Sequence, residues 1–595
     1  MEVQTSVAAL NEPPPGQAQA LKEPPPGKRV SRWVLLCPVT SAVLLWAAYF
    51  PLAWGWCAWF ALVPLLALAR IDVSGRRFLQ YAWLCGLVFY FPALQWMRVA
   101  DPRMYATWFA LAIYCSLYVP LAIGLIRRLD RRTRLPLVLT VPLIWTALEF
   151  IRAHFLGGFA WYFLGHSQHA FLPLIQVSDV GGAYAVTFVV ALVNALLFEL
   201  ACSSAWVRRI FFFRMPRHAP ARRMLALQAA AVALIVTGCI GYGRWRLIHA
   251  PFKDGPTVSL IQGNLDQRIR NQPDAAEEVL QHFAALNLRA LQVRPLPDLI
   301  VWPETSFPYG WDEISPEVPD SSLQPKIREL KRAAEADARH TGASPRDRFL
   351  FALNRQMESL VSTVRNHILV GANTIIYRAD NTFERYNSAL LVDGGTKIVG
   401  RYDKIHRVPF GEYVPFRDWF PWMNALAPYD FDYSIRPGAH LTRLPLGDYH
   451  FGVIICYEDT DPDLARRYSL PEDGAPAADF LVNISNDGWF NGTSEHEEHL
   501  AICRFRAVEA RRSVARAVNM GVSAVIDGDG RVVALSGPTW AESKKVSAVL
   551  TAAVPIDERA SLYARWGDWL PWSCLGVVAL GLVVSLWRRR SLRPA

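Results

Sequence analysis

Charge is scarce in this chain, and cysteine is scarcer still. Asp, Glu, Lys and Arg make up 19% of the 595 residues, against 52% hydrophobic, and 22 Trp are present. That balance is too apolar for a purely soluble protein, and the length allows several domains. The nine cysteines are Cys37, Cys57, Cys85, Cys115, Cys202, Cys239, Cys456, Cys503 and Cys574. All but Cys456 and Cys503 fall in or beside apolar runs, so no disulfide framework is visible. The net charge of +10 has no basic face behind it. Lys and Arg sit between apolar runs, which argues against a nucleic-acid partner. The apolar runs themselves hold few ionisable residues of the kind transport needs. Residues 1–32 have no apolar run at all; Glu-Pro-Pro-Pro-Gly occurs at 12–16 and again at 23–27. This segment is expected to be an extended or disordered tail. It does not read as a cleavable signal, because the first apolar run comes late and many follow.

What is abundant is apolar sequence in series. Runs occur at roughly 33–50, 54–70, 78–97, 106–127, 135–151, 182–202 and 224–243, with an eighth at 570–587. Several reach the roughly 20 residues that span a bilayer; the first two and the fifth are shorter. Arginines gather in alternate connections: Arg70, Arg76 and Arg77; Arg127, Arg128, Arg131, Arg132 and Arg134; Arg208, Arg209, Arg214, Arg217, Arg222 and Arg223. Lys28, Arg29, Arg32 and Arg588-Arg589-Arg590 fall on the same side. The positive-inside rule then puts both termini in the cytoplasm. Seven spans from that start place residues 245–565 outside. The expected domains are a cytoplasmic tail at 1–32, a membrane domain at 33–244, an outer domain at 245–565, and a last span with a basic tail at 566–595. The loop 151–181, with Arg152, Gly157, Gly158, Trp161, Gly165, His166 and Gln168, reads on composition as an interfacial aromatic belt with turn glycines.

Residues 255–560 read differently. Strands are expected at Val258–Gln262, Leu299–Trp302, Ile368–Ala372, Ala389–Val392, Phe451–Ile455, Phe480–Ile484 and Ala524–Ile526. Helical patterns lie at Ala275–Val293, Phe349–Arg365 and Glu495–Val518. Such alternation implies a sheet covered by helices. The polar stretch 311–347 reads as a surface insertion with a charged helix at Lys326–Arg339.

Three strand or loop ends in this outer region carry reactive groups. One is Val301-Trp302-Pro303-Glu304; another is Tyr402-Asp403-Lys404 running on to Glu412. The third is Phe451-Gly452-Val453-Ile454-Ile455-Cys456-Tyr457-Glu458, a buried strand ending in a thiol. A cysteine nucleophile needs a base for its proton and a positive group for the developing oxyanion. Glu304 could be the base, and Lys404 could lower the thiol pKa and hold the oxyanion. Singly each has a bland reading: a core cysteine, a solvated Glu, a Lys paired at the surface.

The three segments resemble the Glu-Lys-Cys triad of the nitrilase superfamily, and their wording is similar to that of its membrane-embedded apolipoprotein N-acyltransferases. Trp302-Pro303-Glu304, Tyr402-Asp403-Lys404 with Pro409-Phe410-Gly411-Glu412-Tyr413-Val414-Pro415, Cys456-Tyr457-Glu458 and Asn483-Ile484-Ser485-Asn486-Asp487-Gly488-Trp489-Phe490 carry the likeness. In the membrane part it rests on Glu149-Phe150-Ile151-Arg152, Gly158-Phe159-Ala160-Trp161 and Asp179-Val180-Gly181-Gly182. The resemblance implies a four-layer α-β-β-α domain on an eight-helix membrane bundle in a bacterial inner membrane, with the catalytic domain periplasmic. It implies two-step acyl transfer without metal or cofactor. Cys456 would take an acyl chain from a phospholipid, usually phosphatidylethanolamine, and pass it to the α-amine of a diacylglyceryl-cysteine on an apolipoprotein. It also implies that Glu412 positions Lys404, that Tyr457 and Glu458 flank the nucleophile, and that the Tyr457 N–H is a candidate oxyanion donor. The chain departs from the family at Ile269-Arg270-Asn271, where an aromatic is usual, and at Glu498-His499, where Gln-His is usual. A membrane-tethered nitrilase-type amidase shares the triad but leaves the membrane part unexplained. A lipid-binding or transport scaffold is disfavoured by the few ionisable residues within the apolar runs.

Overall fold

The structure, a computed structural model, describes residues 33–71, 75–133, 135–211, 221–270, 272–323, 344–363, 366–394, 397–426, 432–472 and 474–590. The Pro-rich tail and the charged helix expected at Lys326–Arg339 lie outside these residues.

The apolar runs form helices. In chain order these are α1 (Trp33–Ala47), α2 (Val63–Arg70), α3 (Gly75–Ala93), α4 (Met104–Ser116), α5 (Tyr118–Arg132), α6 (Leu137–His154), α7 (Ala183–Ser203) and α8 (Arg222–Ile248). Among the described residues, five helical stretches are long and apolar enough to cross a membrane: Met104–Arg132, Leu137–Gly157, Ala183–Ser203, Arg222–Ile248 and Trp569–Trp587. The first two runs give shorter apolar helices at Val34–Ala47 and Gly55–Arg70. One ionic knot is buried among the helices: Arg70 Nη2 meets Glu199 Oε1 at 2.7 Å and Asp130 Oδ1 at 3.2 Å. It joins α2, α5 and α7, and each charge is paired, as a buried charge must be.

The rest is an α-β-β-α sandwich. Strands β1 (Thr257–Gln262), β2 (Leu299–Val301), β3 (Phe307–Ile314), β4 (His367–Tyr377), β5 (Phe383–Val392) and β6 (Ile398–Asp403) belong to one sheet. Strands β7 (Arg443–Leu446), β8 (Tyr449–Ile455), β9 (Phe480–Ser485), β10 (Ser513–Val518), β11 (Ala524–Ile526) and β12 (Val532–Leu535) form the other, while β13 (Ala548–Ala553) returns to the first. The seven-stranded sheet runs β13-β1-β2-β4-β5-β6, with β3 alongside β4, and the six-stranded one β12-β11-β10-β9-β8-β7. Alternation sorts the side chains, since successive residues of a strand face opposite sides. Val258, Leu260, Leu299, Val301, Leu369 and Leu391 point between the sheets, where they meet Phe451, Val453 and Ile455 of β8. Ile261, Ile300, Ile368 and Val370 point the other way, onto Phe283 and Leu286 of α9 (Ala276–Ala290) and Met357 of α10 (Pro345–Thr363). On the second sheet Leu464 and Tyr468 of α11 (Pro462–Tyr468) and Leu500 and Ala507 of α12 (Glu495–Ala510) close the fourth layer. The chain leaves through α13 (Trp569–Arg590).

Two expectations are corrected. The helix expected over Glu495–Val518 stops at Ala510, where Arg511 turns left-handed (φ 49°), and Ser513–Val518 is a central strand, β10. Its six residues are all buried between neighbours on both sides, so tertiary pairing overrides local helical pattern. The insertion expected from residue 311 begins later. Trp311, Asp312, Glu313 and Ile314 pair in parallel with Thr374–Tyr377 of β4, making β3 part of the sheet.

Candidate active site

Each reactive group sits just past a strand that fixes it. β2 ends at Val301 and delivers Glu304 three residues on. Gly371 of β4 makes room for this turn, since a Cβ there would lie 2.2 Å from Pro303 O and 2.8 Å from Glu304 Cα. β6 ends at Asp403 and delivers Lys404, whose N–H donates to Asn387 O of β5 at 2.8 Å. β8 ends at Ile455 and delivers Cys456. Its φ of 51° lies in the left-handed region that costs a non-glycine residue about 1–3 kcal/mol, a strain that clusters at functional turns. Cys456 opens a short 3-10 helix and is half-buried.

The side chains converge. Lys404 is 1% exposed; its Nζ donates to Glu412 Oε1 at 2.7 Å and to Glu304 Oε1 at 3.3 Å. Burial alone would strip the Lys404 proton, but the Glu412 and Glu304 carboxylates outweigh it and hold the amine well above its ordinary range. Lys404 is therefore an ammonium, fit to neutralise an oxyanion and unfit to act as a base. The Cys456 thiol is raised as well, but chiefly by burial: burial, then the Glu304 charge, push it well above the usual cysteine value, with Lys404 pulling it down less strongly. At rest the Cys456 thiol is protonated, and to act as a nucleophile it needs a proton acceptor. The Glu304 carboxylate lies near enough to Cys456 for its charge to act on the thiol. Its Oε2 takes a hydrogen bond from Asn486 N at 3.0 Å and its Oε1 one from Asn387 Nδ2 at 2.7 Å.

Glu412 lies where a positioning residue should. Besides Lys404 it accepts from Val408 N at 2.7 Å through Oε2, which ties the Lys404–Glu412 loop shut. Glu458, fully buried, is a clamp. It accepts from Ile455 N (2.7 Å), Ile405 N (2.6 Å), His406 N (3.0 Å) and Tyr402 Oη (2.8 Å). It thus binds the nucleophile turn to the Lys404 turn, at the cost of a carboxyl pushed up to about 7 by burial. Tyr457 turns its ring away toward the membrane part; its Oη donates to Gly158 O at 2.9 Å.

Residue-by-residue reading missed two supports. Asn387 bonds to both Glu304 and, at 3.4 Å, Glu412. Nothing marks it in the sequence beyond its place where β5 passes from polar residues (Glu384, Arg385) to apolar ones (Ala389–Val392). The other is the charge network beneath Cys456. His499 joins Asp459 (2.9 Å) and Asp487 (3.1 Å), and Arg516 joins the same two carboxylates at 2.8 and 2.9 Å. Burial and Arg516 pull the His499 imidazole down, but Asp459 and Asp487 more than offset them and hold it at about 10. Asp487, Glu495 and His496 also converge within 4.8 Å. His496 Nε2 accepts from Gly492 N at 2.9 Å, so the proton sits on Nδ1 and leaves no lone pair for a metal. The cluster reads as part of the charge network.

The loop 151–181 corrects the aromatic-belt reading. Its residues are seats for the catalytic domain rather than interfacial anchors. Arg152 donates to Trp161 O (2.8 Å) and Tyr162 O (3.3 Å), folding the loop back on α6. Trp161 then stacks on Tyr457, ring centroids 5.6 Å apart and 17° from parallel. Farther along, Asp179 pairs with the fully buried Arg511 at 2.6 Å, and Ala183 N donates to Glu509 Oε1 at 2.7 Å. Phe50 N, beyond α1, donates to Glu498 Oε1 at 2.7 Å.

Comparison with known proteins identifies the family. Residues 41–196 match the family model of the apolipoprotein N-acyltransferase N-terminal domain, and residues 257–563 match that of carbon-nitrogen hydrolase. The chain is 33% identical to the apolipoprotein N-acyltransferase of Geobacter metallireducens over 546 residues, covering 90% of this chain and 92% of that one. It is 30% identical to that of Bordetella bronchiseptica over 547 residues, covering 87% and 89%. Among solved structures it is similar to Saccharomyces cerevisiae Nit3, a member of branch 10 of the nitrilase superfamily. That likeness has 19% identity and a TM-score of 0.33, and covers 54% of this chain and 96% of that one. With both family models matched in order and the relatedness running almost end to end, the chain belongs to the apolipoprotein N-acyltransferase family.

Proposed function

We propose that Glu304, Lys404 and Cys456 carry out the lipoprotein N-acylation that family membership establishes, with a membrane phospholipid as acyl donor. The Cys456 Sγ attacks the ester carbonyl carbon and its proton passes to Glu304. The oxyanion forms beside the Lys404 ammonium, with the Tyr457 N–H as second donor. The ester C–O bond then breaks, Glu304 returns the proton to the departing lysophospholipid alkoxide, and a thioester remains. In the second half the α-amine of a diacylglyceryl-cysteine attacks the thioester. It gives its proton to Glu304, the C–S bond breaks, the thiol is re-protonated and an amide is left. Glu412, Tyr457 and Glu458 position these groups without touching the reacting atoms by side chain.

The observation that carries this reading is the convergence of the half-buried Cys456 thiol with the Glu304 carboxylate and the Lys404 ammonium, themselves 3.3 Å apart. A phospholipid donor is supported by where the site sits. Tyr457 is stacked on a loop of the membrane part, and the segment after Glu412 exposes Phe416, Trp419, Phe420 and Trp422. Aromatics of this kind favour the membrane–water interface. We place the catalytic domain, residues 245–565, on the periplasmic side of an inner membrane, on eight spans with both termini cytoplasmic. Charge alternation between the apolar runs supports this; a reporter after Ala595 active only outside the cytoplasm would reverse it. The chemistry is tested by incubating intact protein with acyl-labelled phosphatidylethanolamine and reading its mass. The parent should gain one acyl group; Cys456→Ala should gain none; Cys503→Ala, altered in a buried helix position, should behave as the parent. An adduct that survives Cys456→Ala refutes the assignment, and release of free fatty acid without transfer to a diacylglyceryl peptide favours the hydrolase.

A further inference from the structure

A groove on the membrane part, far from Cys456, combines three features that the acyl-transfer reaction does not use. It offers about 650 Å³ between α3 and α5. Its walls are apolar: Leu79 and Trp83 on α3 face Leu121 on α5, each more than a third exposed. Trp83 Nε1 donates to Ser116 Oγ at 2.7 Å, which satisfies its one polar atom and leaves the ring as a wall. The floor is open at Gly124, where an added Cβ would meet nothing within 4 Å. One end is capped by Arg76 and Arg128.

The location of that end follows from the helix directions. The C-terminal end of α3 faces the catalytic domain, because Tyr162 Oη donates to Ala93 O at 2.6 Å and Trp96 packs on Phe490. The C-terminal end of α6 does likewise, through the loop that meets Tyr457. Arg76, near the start of α3, therefore sits about 26 Å from Ala93 at 1.5 Å per residue, close to the full thickness of a bilayer core. Arg128, near the end of α5 and one short turn before α6, lies at that same far end. In a bilayer spanned by these helices, both arginines would lie at the depth of the headgroups in the leaflet away from the catalytic domain.

Among the described residues no acidic group neutralises them. Asp130 and Glu199, the described carboxylates at this end, are both taken by Arg70. Arg128 Nε donates to Ser585 Oγ of α13 at 2.9 Å, which orients the guanidinium without neutralising it. An apolar channel of acyl-chain character ending in two such guanidinium groups is complementary to an anionic lipid, whose phosphate would sit between them.

We infer that this groove is a second lipid site, occupied by one anionic diacyl phospholipid of the leaflet away from the catalytic domain and separate from the acyl-donor site. The inference requires that these helices face lipid; it does not depend on the assignment of the catalytic residues. The test uses full-length protein, delipidated in non-ionic detergent and titrated with equal amounts of phosphatidylglycerol and phosphatidylethanolamine, with bound lipid counted by native mass spectrometry. The parent should keep one phosphatidylglycerol in clear preference. Because a basic group near the surface contributes about 1 kcal/mol to anionic-lipid binding, removing two in the Arg76→Gln/Arg128→Gln variant should weaken that retention roughly 30-fold. Gly124→Phe, which fills the open floor while keeping both arginines, should also lose it. This second variant decides the matter if the arginine pair fails to fold. Equal retention of the two lipids by the parent, or full preference surviving in Gly124→Phe or in a folded arginine variant, would mean an ordinary annular lipid and overturn the proposal.

Discussion

Glu304→Gln isolates proton transfer from everything else the site does. Near pH 7.5 an ordinary cysteine of pKa about 8.5 is roughly one-tenth thiolate, and Cys456 lies well above that range. Without a base, attack must wait for that minor population. The amide keeps the shape of the carboxylate. An oxygen at the Oε1 position still accepts from Lys404 Nζ and Asn387 Nδ2, which now lie at 3.3 and 2.7 Å. An NH2 at the Oε2 position would face Asn486 N, now a donor at 3.0 Å, and that unmade bond costs about 1–3 kcal/mol of stability. The variant should therefore fold with a lowered Tm. Loss of a general base typically costs 10²–10⁴ in rate, or about 2.7–5.4 kcal/mol at 1.36 kcal/mol per decade. The Glu304 charge is also one reason the thiol is weakly acidic, so removing it returns part of the loss and the lower end of that range is expected. The assay is single-turnover thioester formation, followed by intact-protein mass. The residual rate of the variant should climb nearly tenfold per pH unit as thiolate forms unaided, while the parent stays flatter. A near-parental rate at neutral pH, or a residual rate indifferent to pH, would refute the role of Glu304.

Three further outcomes follow from the same geometry. Lys404→Met should abolish detectable acylation and lower Tm, since it removes the oxyanion's charge partner and leaves Glu304 and Glu412 unpaired, a change that typically costs about 3–5 kcal/mol; a normal acylation rate contradicts the assignment. Asn387→Ala should reduce the rate of thioester formation more than it weakens phospholipid binding, because Asn387 holds Glu304 and Glu412 and not substrate; equal effects on the apparent KM and kcat would make it merely structural. Glu498 is pushed up to about 8, chiefly by burial. Its folded-state value lies above the ordinary 4.3, so the ionised form is disfavoured in the fold and the penalty grows as pH rises from about 4.3 to about 8. Glu498→Gln keeps an acceptor for Phe50 N and removes the charge, so its Tm gain should be small at pH 5 and larger at pH 9; a gain that is independent of pH contradicts the burial argument.

Much of this protein is legible in its sequence, and the legible parts share a cause. Apolar runs, strands with buried alternation and the ends of those strands are local properties, set by chain periodicity. Thus the strand over Phe451–Ile455, the thiol after it, and the carboxylate after Leu299–Trp302 can all be read from the order of residues alone. The family likeness joins Glu304, Lys404 and Cys456 into one site because long motifs survive in order. Other features depend on pairing between distant segments. Ser513–Val518 is helix-like by local pattern and becomes a strand because β9 and β11 flank it. Residues 311–314 look like a polar insertion and become sheet because β4 offers an edge. The protonation states belong to this class too. Lys404 remains charged, and Cys456 protonated, only because residues far apart in the chain share one buried volume. The loop around Trp161 has the composition of a membrane anchor, and only the fold shows that its aromatic surface is spent on Tyr457. Composition specifies how apolar a segment is; which partner covers it is decided when the sheets and helices close.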